Sequence, residues 1–388
     1  MGRHRWGARW QTHGVDTSWL AGPPMSLRVG GTELPMVGRV RMYVCGITPY
    51  DVTHLGHAAT YVWADAADRV LRWHGHTVTV ARNVTDVDEV LFAEARRRGE
   101  PVSMLATLQR ASFEATMSTL RVRTPDHSPT ATQAVGQVIQ LAAALLSRGA
   151  AYESGGSVYA RTPHVGQEVG LDEATAIRLA TEYRDHPEDP DKENPLDIVV
   201  WKETLDDEIS WPSPWGDGRP GWHAECAAMV LTLFGPSVDL HCGGADLAFP
   251  HHACEAALAQ TATGVRPFER AWMRAGTVCV DGAKMAKSTG NLVLVDDLLR
   301  DYSPAAIRLL CLNRGWSDTW TYTSDALDSA SATLDELYSA AAKPSSGAGG
   351  AAVPAALLDD LNVSRAVEIA LEDGGQAART LIEVLGLS

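Results

Sequence analysis

One stretch near the start of the chain limits the fold more than any other. Residues 41–45 (RMYVC) read as a short buried strand, and Gly46 and Pro49 carry it into a turn. THLGHAATYVWADAADRVLRWHG follows, with Ala59, Val62, Ala66, Val70 and Trp73 recurring at the spacing of one helix face. Gly75 closes that helix, and TVTVAR (77–82) reads as a second strand. Strand, helix and strand in about 40 residues make a βαβ unit. Two strands joined that way are parallel, so the expected fold is α/β: a Rossmann-like, doubly wound parallel sheet.

The alternation breaks off and then resumes. Residues 89–121 are charged, amphipathic and expected to be helical. From 122 to 200 the pattern loosens into a helix at 131–148, a hairpin-like YESGGSVYARTP and the polar EYRDHPEDPDKENP. Strand–helix alternation returns at 222–233, 238–244 and 251–264, followed by a strand near AWMRAG and the glycine-bounded loop DGAKMAKSTGN. Residues 304–340 read as helical, 343–353 (KPSSGAGGAAV) have linker composition, and 354–386 form a last amphipathic stretch. The expected layout is a disordered extension at 1–24, a first catalytic half at 25–125 and an inserted connective subdomain at 126–215. A second catalytic half at 216–300 and a C-terminal helical region at 301–388 complete it.

Composition narrows the partners. The chain carries 33 basic and 48 acidic residues among 388, a formal charge of −15. That balance argues against a large nucleic-acid footprint, which needs clustered positive charge. A hydrophobic share of 45% with 21% charged fits a globular enzyme, and no run reaches the roughly 18–20 apolar residues of a membrane span. Residues 1–20 are basic but lack an apolar core, so they do not read as a secretory signal. Six cysteines without a dense framework fit a reducing cytoplasm. Only five of the basic residues are lysines, and two of these, Lys284 and Lys287, fall within KMAKS.

Two constellations carry phosphate chemistry. His54, Gly56 and His57 precede a helix, where imidazoles and backbone amides can meet a polyphosphate. Taken alone, such a turn is more often structural than functional. The ammonium groups of Lys284 and Lys287, in a glycine-flanked loop with Met285 and Ser288, suit an α-phosphate transition state with pyrophosphate leaving. A solvated lysine loop is the plainer reading of that motif by itself. In this order across a two-part βα fold, the pair is far more specific.

With these residues the sequence resembles the class I aminoacyl-tRNA synthetases, and most closely their cysteinyl subgroup. MYVCGITPYDVTHLGHA, RNVTDVDE, NPLDIVVWK, SWPSPWGDGRPGWHAECAAM, HCGGADLAFPHH and KMAKSTGN carry the resemblance from residue 41 to about 300. The resemblance implies an ATP site at Thr48, His54, Gly56, His57, Gly244, Asp246, Lys284, Met285, Lys287 and Ser288, with Mg²⁺ accompanying the nucleotide. It implies a cysteine pocket at Cys45, Gly46, Thr48, Thr85, Asp88, Trp222 and His223. It also implies one Zn²⁺ held by Cys45, Cys226, His251 and Glu255. Two thiolates, an imidazole and a carboxylate make a plausible tetrahedral shell, and a thiolate substrate on zinc separates cysteine from serine more sharply than shape could. Singly, each of these cysteines would more often be a small core residue. Cys254 is an extra thiol that reads as structural, and Trp211 and Trp215 read as core packing.

The acceptor is the remaining question. Only 100 residues follow Ser288, partly Ala/Gly-rich and poor in arginine, which points away from tRNA. GITPYD at 46–51 and THLGHAATY at 53–61 resemble a shortened branch, the cysteine ligases of mycothiol biosynthesis, which join cysteine to glucosaminyl-inositol. The implied activity is a cytoplasmic, tRNA-independent cysteine:amine ligase with His54, His57, Lys284, Lys287 and Asp246 in catalysis. Glu255 and NPLDIVVWK instead match the tRNA enzymes, and Ala286 replaces the usual central serine of the lysine motif. Other readings are a shortened cysteinyl-tRNA synthetase, a paralogue with a different amine acceptor, and a catalytically dead relative.

Overall fold

The computed structural model describes residues 26–50, 52–204, 209–285, 289–344 and 350–388. The expected extension at 1–24 lies outside them. The predicted βαβ unit is present as β1 (Arg39–Ile47), α1 (Leu55–Trp73) and β2 (Thr77–Val84), with β1 and β2 parallel and Met42 opposite Val80. α1 buries Ala59, Val62, Ala66 and Val70 but leaves Trp73 at its exposed end. α2 (Glu89–Arg98) and α3 (Val102–Thr119) follow, divided where Gly99 takes a left-handed conformation and Pro101 begins the next helix.

α4 (Ala131–Ser147) leads into an antiparallel sheet formed by β3 (Ala151–Ser154), β4 (Ser157–Ala160), β5 (Ile198–Glu203) and β6 (Gly218–Pro220), paired in that order. Between β4 and β5 run α5 (Glu173–Glu182) and an irregular segment over 183–197. Cys254, Trp211 and Trp215 all pack into the apolar cluster beneath this sheet.

The parallel sheet resumes with α6 (Trp222–Phe234), β7 (Val238–Gly244), α7 (Ala253–Thr263) and β8 (Glu269–Ala275). The four parallel strands stand in the order β8-β7-β1-β2, with Tyr43 opposite His241 and Val44 opposite Cys242. The fold is thus the expected α/β one, a Rossmann-like parallel core with added antiparallel sheets and C-terminal helices. β2 and β7 flank β1 on opposite sides, so the chain reverses direction across the sheet there. A crevice opens at the carboxyl ends of strands at such a reversal. Cys45, near the end of β1, and Gly244, the last residue of β7, border it.

The C-terminal region is more broken than its periodicity suggests. Residues 304–340 divide into α8 (Pro304–Leu312) and α9 (Ser324–Ala341), with the strand Trp320–Thr321 between them. The Asp318 carboxylate accepts from the Gly315 amide at 3.0 Å and closes a turn there. The last stretch forms α10 (Ala352–Leu358), α11 (Val363–Asp373) and α12 (Gly375–Leu385), interrupted by left-handed residues at Asp360, Leu361 and Gly374. Arg308 on α8 is fully buried and ties these helices to the core. Its guanidinium donates to Asp65 at 2.6 Å, to the Leu120 carbonyl at 2.9 Å and to the Leu385 carbonyl at 2.8 Å. Among the described residues no helix is long and apolar enough to cross a membrane.

Candidate active site

One side of the crevice is built at the start of α1. His54 is its N-cap, with extended backbone, and its Nδ1 accepts from the Gly56 and His57 amides at 3.1 and 3.4 Å. The His57 ring stacks on it at 3.8 Å. A Cβ on residue 56 would lie 2.9 Å from the His54 ring, so glycine lets the ring fold over the helix end. The chain beyond the lysine loop returns to this point, where the Leu55 amide donates to the Val293 carbonyl at 2.8 Å. The loop is thereby anchored beside the two histidines.

Lys284 lies on a two-residue edge strand, and its ammonium donates to Asp246 Oδ2 at 2.6 Å. Both are surface groups, with side chains 52% and 37% exposed, so the pair holds each partner only weakly and either can exchange it for another ion. Gly244 and Asp246 follow the end of β7, and Met285 is buried in the main core. Lys287 and Ser288 lie outside the described residues.

The opposite side of the crevice is closed from solvent. Cys45, Cys226, His251 and Glu255 are each at most 4% exposed. Glu255 Oε2 lies 3.7 Å from Cys45 Sγ and 3.7 Å from His251 Nε2. The four do not form one set: Cys226, His251 and Glu255 converge in one group, and Cys45, His241, His252 and Glu255 in another, with Glu255 shared. His241 and His252 are donors the sequence reading missed. Their signal was HCGG and the doubled histidine before Ala253, but neither motif says which ring faces inward. Both rings stack on Trp272, at 4.5 and 4.7 Å.

Burial sets the protonation of this cluster. It pushes the Cys45 thiol and the Glu255 carboxyl well above their usual ranges, with neighbouring Cys226 adding to both. It holds the His251 imidazole well below its usual value, hence neutral. Two thiols and a carboxylate at such close range can ionise together only beside a cation. His241 faces the group through Nε2, 3.3 Å from Cys45 Sγ and 3.7 Å from Glu255 Oε2, and the buried Tyr43 Oη and His252 Nε2 have no hydrogen-bond partner. The donor chemistry therefore fits a divalent metal.

A cavity of about 800 Å³ opens beside the cluster, lined by Thr48, Asp88, Trp222 and His223 together with residues of the antiparallel sheet. Trp222 stacks on His251 at 4.1 Å, so the cavity wall is one ring away from the buried donor group. Thr85 does not line it. Its hydroxyl donates to the Ile47 carbonyl at 3.2 Å and pairs with the Thr48 hydroxyl at 2.8 Å, which leaves Thr48 facing the cavity. Asp88 caps α2 through the Val90 amide at 2.7 Å, and burial pushes its carboxyl up. Gly46 packs against β2, where a Cβ would meet the Asn83 carbonyl oxygen at 1.6 Å. Asn83, also missed, accepts from the Gly46 amide at 2.7 Å and donates to Cys226 Sγ at 3.2 Å, linking the two strands to the buried donor cluster.

Residues 33–332 match the family described as tRNA synthetases class I (C) catalytic domain. The chain is 42% identical to the L-cysteine:1D-myo-inositol 2-amino-2-deoxy-alpha-D-glucopyranoside ligase of Thermobispora bispora, over 92% of both chains. It is 44% identical to the protein of the same name from Parafrankia sp., over 84% of this chain and 76% of that one. It is also 40% identical to the cysteine–tRNA ligase of Halorhodospira halophila, over 89% of this chain and 76% of that one. Among solved structures, Mycobacterium tuberculosis methionyl-tRNA synthetase bound by methionyl-adenylate shares the fold, with a TM-score of 0.60 at 16% identity, covering 90% of this chain and 82% of that one. The nucleotide-side histidines, the lysine loop and the crevice between β1 and β7 are thus accounted for together: the chain belongs to the family of class I (C) tRNA synthetase catalytic domains.

Proposed function

We propose that this enzyme activates L-cysteine with ATP as cysteinyl-adenylate and transfers it to a small amine of the amino-sugar–inositol type. The observation that carries the acceptor reading is the charge of the cavity. Eight carboxylate residues line it (Asp88, Glu89, Glu182, Asp185, Glu188, Asp189, Asp191 and Glu203), against three basic ones, Arg184, Lys202 and Arg219. Such a wall attracts an ammonium group and repels the phosphates of an RNA end. Its volume suits a small polar ligand. The cysteine:amino-sugar ligases at 42–44% identity support the same reading.

In this reading Cys45, Cys226, His251 and Glu255 would hold Zn²⁺. When bound, the metal would supply a soft site for the substrate sulfur, which favours cysteine over serine. Thr48, Trp222 and His223 would shape the amino-acid pocket. The amides and rings at His54 and His57, with Lys284 and Lys287, would bind the polyphosphate of Mg²⁺–ATP. The cysteine carboxylate attacks the α-phosphorus and pyrophosphate leaves. Lys284, moving to the polyphosphate, releases Asp246. The acceptor amine then attacks the adenylate carbonyl, AMP leaves, and Asp246 accepts the proton the amine loses.

A second reading, transfer to tRNA, is favoured by the 40% identity to a cysteine–tRNA ligase. Purified protein should catalyse ATP–pyrophosphate exchange that depends on cysteine and not on serine. No exchange with any amino acid would overturn the activation step.

A further inference from the structure

The segment after α5 has no regular structure, yet three of its side chains fasten it over the site. The Tyr183 hydroxyl donates to the Asp246 carbonyl at 2.7 Å, and its ring lies parallel to Trp222. Both oxygens of Asp185 lie 3.0 Å from His223 Nε2. Lys192, one of the chain's five lysines, donates to the Asp185 carbonyl at 2.6 Å. The residues on either side of Asp185 are both left-handed, Arg184 at φ 64° and His186 at φ 50°. Residues with a Cβ rarely adopt that conformation, and two examples within three residues persist only where surrounding contacts hold them. Here those contacts aim a carboxylate at His223. Beyond it, His223 Nδ1 lies 2.8 Å from His251 Nδ1.

We propose that Asp185 and His223 form a positioning relay that places the His251 proton on Nδ1 and leaves Nε2 bare for the metal. The inference rests on the metal reading above. A carboxylate only accepts hydrogen bonds, so His223 Nε2 carries a proton. In the neutral ring Nδ1 is then a lone pair. The Nδ1–Nδ1 contact needs one proton between its two atoms, and that proton belongs to His251. Its other nitrogen, Nε2, faces Glu255 Oε2 at 3.7 Å without a hydrogen, as a metal ligand requires. Asp185 thus acts on the metal through two rings, from an irregular segment remote in sequence from every ligand. Neither residue of the relay touches the reacting atoms.

The test is equilibrium competition for Zn²⁺ between metal-free, full-length protein and a chelating indicator. D185A should weaken zinc binding by about 10–100-fold, whereas D185N, whose amide oxygen still accepts, should stay within about threefold of the parent. H223A and H223N form a second pair independent of the strained turn. Asparagine keeps an acceptor for His251 Nδ1–H and alanine does not, so the same contrast is expected. Nitrogen-15 spectra of histidine-labelled, metal-free protein should show His251 Nε2 as the unprotonated nitrogen in the parent and in D185N, and mixed tautomers in D185A. Parent-like zinc affinity in D185A or H223A, or D185N as weak as D185A, would overturn the relay while leaving the metal reading intact. A parent protein that binds no zinc would overturn both.

Discussion

The two sides of the crevice are built in opposite ways. On the sulfur side every donor is buried, with Cys45 near the end of β1, Cys226 on α6, Glu255 on α7 and His251 in the kinked turn that leads into α7. On the other side the charged groups face solvent, and Lys284, on a short edge strand, pairs with Asp246. The contrast matches two tasks. Choosing one amino acid requires donors fixed before the substrate arrives, because mobile ligands would accept a poorer fit. Handling ATP, pyrophosphate and AMP in turn requires cations that exchange partners at low cost, which an exposed ion pair does.

The largest effect should come from breaking the rigid side. C226A removes a ligand outright, so zinc affinity should fall by more than the roughly 100-fold typical of an outer-sphere change. Cysteine-dependent exchange should fall with it, and cysteine should lose its advantage over serine. On the exposed side, K284A should slow adenylate formation by about 10²–10³-fold, the usual effect of removing one preorganised charge donor. Stopped-flow measurement should find cysteine affinity unchanged in that variant. D246N should sharpen the division further. Amide formation should fall by about 10²-fold through loss of the proton acceptor, with pyrophosphate exchange much less affected.

The smallest effect concerns stability. Burial at the start of β8 raises the Glu269 carboxyl to about 8. Its folded value is above its unfolded one, so the neutral acid's contribution is complete below the unfolded pKa, about 4.3. That contribution is lost as pH rises through about 8. E269Q should therefore melt close to the parent at pH 5 and a few degrees higher at pH 9, as calorimetry can measure. An equal shift at both pH values would show that ionisation of this group is not the cause.

Legibility differed between the regions for physical reasons. The βαβ unit could be read because helix and strand periodicities report burial directly, and Ala59, Val62, Ala66 and Val70 do face the core. Cys45, Cys226, His251 and Glu255 follow from the resemblance alone, and the structure divides them between two groups that share Glu255. His241 and His252 escaped because inward orientation of a histidine depends on the neighbouring Trp272 rather than on local pattern. The segment 183–192 reads as polar loop, and nothing local reveals that Asp185 meets His223. Periodicity after 300 does not show where the helices break, because the breaks rest on the turn closed by Gly315 and Asp318 and on positive-φ backbone at Asp360, Leu361 and Gly374.

The central claim is that activated cysteine goes to a small amine in the acidic cavity. One reaction tests it most directly: enzyme, ATP and labelled cysteine with equimolar glucosaminyl-inositol and cysteine-accepting tRNA, with products separated by mass. The cysteinyl amide is expected as the labelled product, formed together with AMP. Label on tRNA, with no amide, would contradict it.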